Sequence, residues 1–145
     1  MEAIINQLIT INKPHIYLYD SASEEMITAF EGNFTTIPSE YRSFIRLSDG
    51  LGVTEYYDCV IYSLSDTEKV LKSSMKMHDP DLKKGLLHIG CFWEDALYID
   101  LDNKVYLSFQ GIDEPVCLDM SFKEFLQKSI DTGFEIFWDE RIQLI

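Results

Sequence analysis

The residues that could carry out chemistry are few in this chain, and their spacing does not favour catalysis. His15, His78 and His88 share no spacing typical of metal ligands. His88 and Cys91 stand three residues apart, as a zinc-binding pair would, but the chain has no second pair to complete four ligands. We therefore predict no metal site and no cofactor.

Two further patterns resemble functional motifs without completing them. Asp100 and Asp102 resemble the start of an EF-hand calcium loop, but Val105 stands where that loop requires glycine. Glu94 and Asp95 could form an acid pair for glycoside hydrolysis, although adjacent carboxylates in a short connection are usually solvated. The chain also lacks the nucleophile elbow and the phosphate-binding loop of common enzyme families. We predict that it is not an enzyme.

Aromatic residues beside acidic ones form a more informative pattern. Rigid rings within acidic connections are typical of protein interfaces, where the ring fills a pocket and the charge steers the approach. The sequence leaves open the alternative that Trp93 and Tyr57 cover the core beneath their own connections. The predicted partner-binding residues are Tyr56, Tyr57, Trp93, Glu94, Asp95, Tyr98, Asp100 and Asp102.

The net charge of −13 is the strongest signal in the composition. Residues 94–119 carry seven acids and a single base, Lys104. Such a chain repels nucleic acid and anionic membranes and attracts basic proteins. We therefore predict a basic protein partner. The alternative is that the surplus acid only keeps the protein soluble.

The length of 145 residues predicts one domain spanning residues 1–145. The chain starts without the basic segment of a secretory signal, and no apolar run reaches the ~18 residues that a membrane-spanning helix needs. Three widely spaced cysteines among apolar neighbours predict reduced thiols in the core. We therefore expect a cytoplasmic protein.

Helices are predicted from start signals followed by apolar residues at helical spacing. The start signals are three capping boxes, Ser21 to Glu24, Ser65 to Glu68 and Ser121 to Glu124. A further helix is predicted to start at Pro38 and to bury Tyr41, Phe44 and Ile45. Residues 2–11 have the pattern of an amphipathic helix.

Strands are predicted mainly in the second half of the chain. One hairpin should turn at Asp102-Asn103 and bury six alternating side chains, namely Leu97, Ile99, Leu101, Val105, Leu107 and Phe109. Tyr98 and Tyr106 then share the opposite face with the two aspartates. Further strands are expected at Val60–Ser63, Leu86–Phe92, Val116–Leu118 and Phe134–Trp138. The order of elements predicts an α+β fold, with a mostly antiparallel meander over residues 86–118.

The order of these parts resembles the SUKH superfamily, which includes fungal cell-wall assembly regulators and many bacterial immunity proteins. The helix that opens on Ile37-Pro38 and stops at Asp49-Gly50 matches the family pattern lP-x-x-y-x-x-f-l-x-x-x-nG. Asp49 stands where the family often has asparagine. The strand at Leu86–Gly90 and the helix at Ser121–Leu126 follow in the family's order, so the resemblance covers residues 22–132.

The resemblance implies an α+β domain that binds proteins and, in bacteria, commonly neutralises a toxin that is often a nuclease. Family members differ strongly at the binding surface, so no contact residue can be carried over. We expect an immunity-type protein that blocks a basic toxin through an acidic surface bearing aromatic residues. The alternative is a regulatory or scaffold module of the same fold. An enzyme or a small-molecule-binding protein comes third.

Overall fold

The computed structural model describes residues 1–11, 15–53, 59–76 and 85–135, and the side chains of these residues except for 74–76. These residues form five helices and seven strands. The helices are α1 (Glu2–Thr10), α2 (Glu24–Asn33), α3 (Ser39–Ile45), α4 (Leu64–Lys76) and α5 (Phe122–Asp131). The strands are β1 (Ile16–Leu18), β2 (Leu51–Val53), β3 (Cys59–Ile61), β4 (Leu87–Phe92), β5 (Asp95–Ile99), β6 (Lys104–Ser108) and β7 (Val116–Ser121).

The seven strands form one sheet whose spatial order is the order of the chain, and every neighbouring pair is antiparallel. The predicted α+β class and the antiparallel meander over residues 86–118 are therefore confirmed. The predicted late strand does not start at Phe134, because residues 134–135 are not in a strand. The rest of that predicted strand lies outside the described residues.

One face of the sheet packs against the helices, because side chains along a strand alternate between two faces. Buried side chains from all five helices and from this face form one contiguous cluster. Within this cluster the ring of Phe92 on β4 meets Phe125 on α5 edge-on, with 5.3 Å between centroids. On β4, any side chain at Gly90 would collide with the backbone of β3, since a Cβ there would lie 2.0 Å from the oxygen of Val60.

The prediction for the β5–β6 hairpin is confirmed at five of its six core positions and wrong at Leu101. Leu97, Ile99, Val105, Leu107 and Phe109 are buried, whereas Leu101 is 61% exposed. Ile99 pairs directly with Val105. Residues 100–103 therefore form the turn, which is longer than the predicted Asp102-Asn103 turn and removes Leu101 from the strand.

The predicted start of α5 is confirmed, since Ser121 Oγ accepts a hydrogen bond from the amide of Glu124. The other two capping boxes are wrong by two residues. Ser23 caps α2 instead of Ser21, because the Ala22 amide donates to Ile45 O and holds the preceding chain extended.

At the start of α4, Ser63 Oγ accepts from the amide of Asp66. Asp49 Oδ1 accepts from the amide of Leu64, 2.8 Å away, so the helix begins at Leu64, two residues before the start that a cap at Ser65 predicts. Within α2, Ile27 and Phe30 are buried and Met26 is exposed. Of the three cysteines predicted in the core, Cys59 is buried and Cys117 is exposed on β7.

Helix α3 is a scaffold helix, as its apolar pattern predicts. Tyr41, Phe44 and Ile45 are fully buried. The Tyr41 hydroxyl lies 2.7 Å from the Tyr62 carbonyl oxygen, to which it donates, and 2.8 Å from Thr67 Oγ1. The helix thereby joins the end of β3 to α4. None of the described helices is long and apolar enough to cross a membrane.

The turn after α3 ties three elements together through Ser48, Asp49 and Gly50. Ser48 Oγ accepts from the amide of Tyr19 and donates to Gly50 O. Asp49 accepts from the first amide of α4. Gly50 has φ 118, and a Cβ there would lie 3.1 Å from Ile61 O, so a side chain would be strained.

Phe44→Ala should destabilise the protein by about 3–5 kcal/mol, because it removes a fully buried ring that packs edge-on against Phe122. Urea unfolding at neutral pH measures the loss. The control is Met26→Ala, an exposed position where the change should stay within about 0.5 kcal/mol. A loss below about 1 kcal/mol for Phe44→Ala would contradict the scaffold role of α3.

Asp49→Asn should leave the protein at least as stable as the unsubstituted chain at neutral pH. Burial raises the pKa of the Asp49 carboxyl, so the folded state binds the proton more tightly than the unfolded state. The contribution of this group to stability is therefore largest below its unfolded pKa of about 3.9. It is lost as the pH rises through the raised folded-state pKa.

Asparagine keeps an oxygen that can accept from the Leu64 amide and carries no charge. The advantage of Asp49→Asn should therefore shrink as the pH is lowered toward about 4. Urea unfolding at both pH values tests this. Asp49→Ala is the comparison variant and should lose about 1 kcal/mol at both, since the hydrogen bond to α4 is gone. An Asn variant less stable than the unsubstituted chain at neutral pH would show that the charge itself stabilises α4.

Candidate partner-binding surface

The antiparallel sheet divides the predicted partner-binding residues between its two ends. The Trp93 end is formed by the β4–β5 turn (residues 93–94), the first residue of β5, Asp95, and the β6–β7 connection (residues 109–115). The Asn103 end is formed by the β5–β6 turn, residues 100–103. Strand β5 runs between them, so the two ends are about 16 Å apart. Trp93, Glu94 and Asp95 share one end, and Asp100 and Asp102 share the other.

Trp93 is held in place and exposed at the same time. It opens the two-residue turn between Phe92 and Asp95 and has φ 56, an uncommon value for a residue with a large side chain. Its indole Nε1 donates to the carbonyl oxygen of Phe134 at 3.1 Å. The ring is nevertheless 40% exposed. A ring fixed in this way loses little conformational entropy when it packs against a partner.

The Trp93 end carries a concentration of negative charge. Glu94, Asp113 and Glu114 are exposed, and Asp95 is half-buried. Burial and then the neighbouring Glu94 raise the pKa of Asp95, so its charge is lost at a higher pH than that of an ordinary aspartate. Among the described residues 92–96 and 109–116 there is no lysine or arginine. The described residues of this end therefore carry acidic side chains and no basic ones.

At the Asn103 end the two aspartates have different roles. Asp100 Oδ1 accepts from the amides of Asp102 and Lys104, both at 2.9 Å. Its Oδ2 accepts from the Tyr106 hydroxyl at 2.9 Å. Burial, together with the Asp100 carboxylate, raises the pKa of Tyr106 above its usual value, so the hydroxyl stays protonated as a donor. Asp102 is exposed, and its carboxylate forms no ion pair with a described residue.

Tyr98 lies on the outer face of the sheet, the face away from the core, as the alternation predicts. It pairs with His88 on one side and with Tyr106 on the other. The rings of Tyr98 and His88 are 4.8 Å apart, and His88 also contacts Tyr62. Tyr98 is only 8% exposed, so it presents little surface to a partner. Tyr56 and Tyr57 lie outside the described residues.

An apolar cavity of about 320 Å³ lies beside the Asn103 end, and sequence patterns did not reveal it. Its walls come from the end of α2, from α4, from the start of β4 and from the β5–β6 turn. Phe34, Leu71, Leu87, Ile99 and Leu101 are among the residues that line it. The sequence feature that could have indicated the cavity is Leu101, but the alternating pattern of the hairpin placed this residue in the core.

No group of three or more His, Cys, Asp or Glu among the described residues could hold a metal ion.

Asp100 and Asp102 should respond differently to neutralisation. Asp100→Asn should cost about 1 kcal/mol, because the Tyr106 hydroxyl loses its acceptor at Oδ2. Asp102→Asn should stay within about 0.5 kcal/mol because the side chain is exposed. Urea unfolding of the two single variants measures both effects. Equal losses would contradict the assignment of Asp100 as the structural residue and Asp102 as the free charge.

No curated protein matches the chain. The model of the SMI1 / KNR4 family (SUKH-1) matches residues 21–130, from just before α2 almost to the end of α5. The match spans more than half of the chain and includes the scaffold helix α3, the sheet from β2 to β7 and the helix after it. The chain therefore belongs to the SMI1 / KNR4 family (SUKH-1).

Proposed function

We propose that this protein is an immunity-type protein that binds and neutralises a basic toxin, with the Trp93 end as the main contact surface. Family membership is consistent with an immunity-like or a regulatory role. The observation that carries the proposal is an exposed, hydrogen-bonded Trp93 at an end of the sheet that also exposes the acidic side chains of Glu94 and Asp113. Fixed aromatic rings near the centre of an interface provide much of its binding energy, and the charges around them determine how fast the partner arrives.

The charge of the whole chain supports a basic partner. A net charge of −13 on 145 residues produces a negative potential that attracts a basic protein before contact. Nuclease toxins must approach phosphate, so basic active-site surfaces are expected of them. An acidic immunity protein can cover such a surface without resembling nucleic acid in shape. We infer a nuclease-type toxin domain as the partner on this basis.

The Trp93 end is the better candidate for the principal contact. It combines one exposed aromatic ring with the exposed carboxylates of Glu94 and Asp113. At the Asn103 end, by contrast, the Asp100 carboxylate accepts three hydrogen bonds, one from the turn and two from β6. Asp102 alone remains available there. We retain Tyr56, Tyr57 and Tyr98 as proposed contacts that contribute less to binding than Trp93.

A regulatory or scaffold module of the same fold would use the same surface to bind a basic protein of its own cell. A toxin gene beside the gene of this protein would favour the immunity role. A small-molecule role is less favoured, because the described residues that line the cavity include no charged side chain to orient a polar ligand.

The proposal predicts that Trp93→Ala weakens binding of the C-terminal domain of a neighbouring toxin by about 2 kcal/mol or more, mainly through faster dissociation. Glu94→Gln should slow association, and the difference from the unsubstituted chain should shrink at high salt. Surface plasmon resonance at low and high salt measures the association and dissociation rate constants. Inhibition of the toxin's activity is the second readout.

Glu25→Gln is the matched control, because Glu25 is exposed on α2, is not among the residues that form either end, and has the same charge. It should leave both rates almost unchanged. If the toxin binds tightly and neither salt, Trp93→Ala nor Glu94→Gln changes its affinity or rates, the Trp93 end is not the contact surface. A folded protein that binds no neighbouring gene product would contradict the immunity role and favour the regulatory one.

A further inference from the structure

The cavity beside the Asn103 end is large enough to hold a bulky group. Its volume of about 320 Å³ is at the lower end of the range of about 300–1,000 Å³ that is usual for ligand pockets. It is also about twice the volume of an engineered cavity of about 150 Å³ that binds benzene. One large apolar side chain therefore fits into it with room to enter.

The walls of the cavity select an uncharged, apolar occupant. Phe34, Leu71, Leu87 and Ile99 provide the apolar surface. The amide group of Asn33, one of the few polar side chains of the lining, already donates to Ala29 O at 2.9 Å. A charged group placed inside would lose its water without gaining a partner of opposite charge, which is strongly unfavourable.

The rim of the cavity is fixed and carries a negative charge. Leu101 lies at the rim with 61% of its surface exposed, in the turn that Asp100 holds by hydrogen bonds. Its neighbour Asp102 is exposed and forms no ion pair with a described residue. Lys72, whose Nζ lies 5.8 Å from the centroid of the Phe34 ring, is paired with Glu68 at 3.5 Å. Of these two charged side chains of the described residues, that of Asp102 is therefore the one without an ion-pair partner.

We propose that this cavity is a second docking site for the protein partner, and that it takes one bulky apolar side chain from a basic segment. A lysine or arginine next to that side chain in the partner pairs with Asp102, and Leu101 covers the inserted group. The inserted side chain is inferred to be apolar because the walls are apolar. Its neighbour in the partner is inferred to be basic because Asp102 is negatively charged. The inference rests on the proposed function only in taking the partner to be a basic protein.

The test uses the full chain and two short fluorescent lysine-rich peptides that differ only at the central residue, phenylalanine or serine. Fluorescence anisotropy measures their dissociation constants. Burial of a phenylalanine ring should make the first peptide bind about tenfold more tightly or better. Asp102→Asn should weaken both peptides and leave their ratio almost unchanged, because the charge acts outside the cavity.

Thr36→Trp introduces a bulky side chain at an exposed position of the lining and should abolish the preference for phenylalanine. Thr28→Trp is the matched control, since Thr28 is exposed on α2 and does not line the cavity, and it should keep the preference. In methyl NMR spectra, the phenylalanine peptide should shift the signals of Leu87 and Ile99, and the serine peptide should not. Thermal melts of both tryptophan variants check that they remain folded.

Equal affinity for the two peptides, or a preference that survives Thr36→Trp, would overturn the proposal. Indole is a third probe. Methyl shifts with indole but not with the phenylalanine peptide would identify a small-molecule site instead, and no shifts with either probe would show that the cavity is closed in solution. The proposed function would stand in each case if Trp93→Ala and Glu94→Gln still weakened toxin binding, so the two failures are distinguishable.

Discussion

The attachment of α3 and α5 to the sheet depends on one residue of left-handed backbone, Asn103. Its φ of 67 closes the β5–β6 turn, a conformation that asparagine tolerates better than most residues. Its carbonyl oxygen accepts from the first amide of α5, that of Phe122. Its side-chain oxygen accepts from the amide of Glu40, and its Nδ2 donates to Ser39 Oγ. One turn residue thereby holds the amino termini of α3 and α5 against the sheet.

This junction also determines what the Asn103 end can present to a partner. Glu40 Oε1 accepts from the amide of Lys123, so the two helix starts are joined to each other as well as to the turn. Asp100 is used inside the turn. With both sides of the turn fixed, Leu101 and Asp102 are the residues left facing outward, beside the cavity. A rigid turn of this kind presents an apolar and an acidic side chain at little entropic cost to a partner.

Strand alternation in the sequence was sufficient to predict the antiparallel meander and most of its core, because a buried face imposes a strict period of two. It failed at Leu101, where the side chain of Asp100 caps its own turn and lengthens it. The hydrogen bonds from the Asp100 carboxylate to the amides two and four residues ahead do not alter the order of apolar and polar residues. The hydrophobic pattern therefore could not predict the longer turn. The misplaced helix starts have the same origin. Ser23 and Ser63 were indistinguishable from their serine neighbours until contacts from α3 and Asp49, distant in sequence, defined where each helix begins.

The sequence predicted which types of residue the candidate site contains, but not how those residues are arranged in space. Aromatic and acidic residues could be recognised, but whether they share a surface depends on which strand ends meet, and that follows from the sheet order. The separation of about 16 Å between the two ends exceeds the screening length of about 8 Å at physiological salt. The two acidic groups therefore act on a partner almost independently. A partner that contacts only the Trp93 end is attracted by the carboxylates of that end alone. A partner that spans the sheet is attracted by both acidic groups. Because the energies of separate contacts on one rigid surface combine, a second contact at the Asn103 end increases affinity and also distinguishes partners of different length.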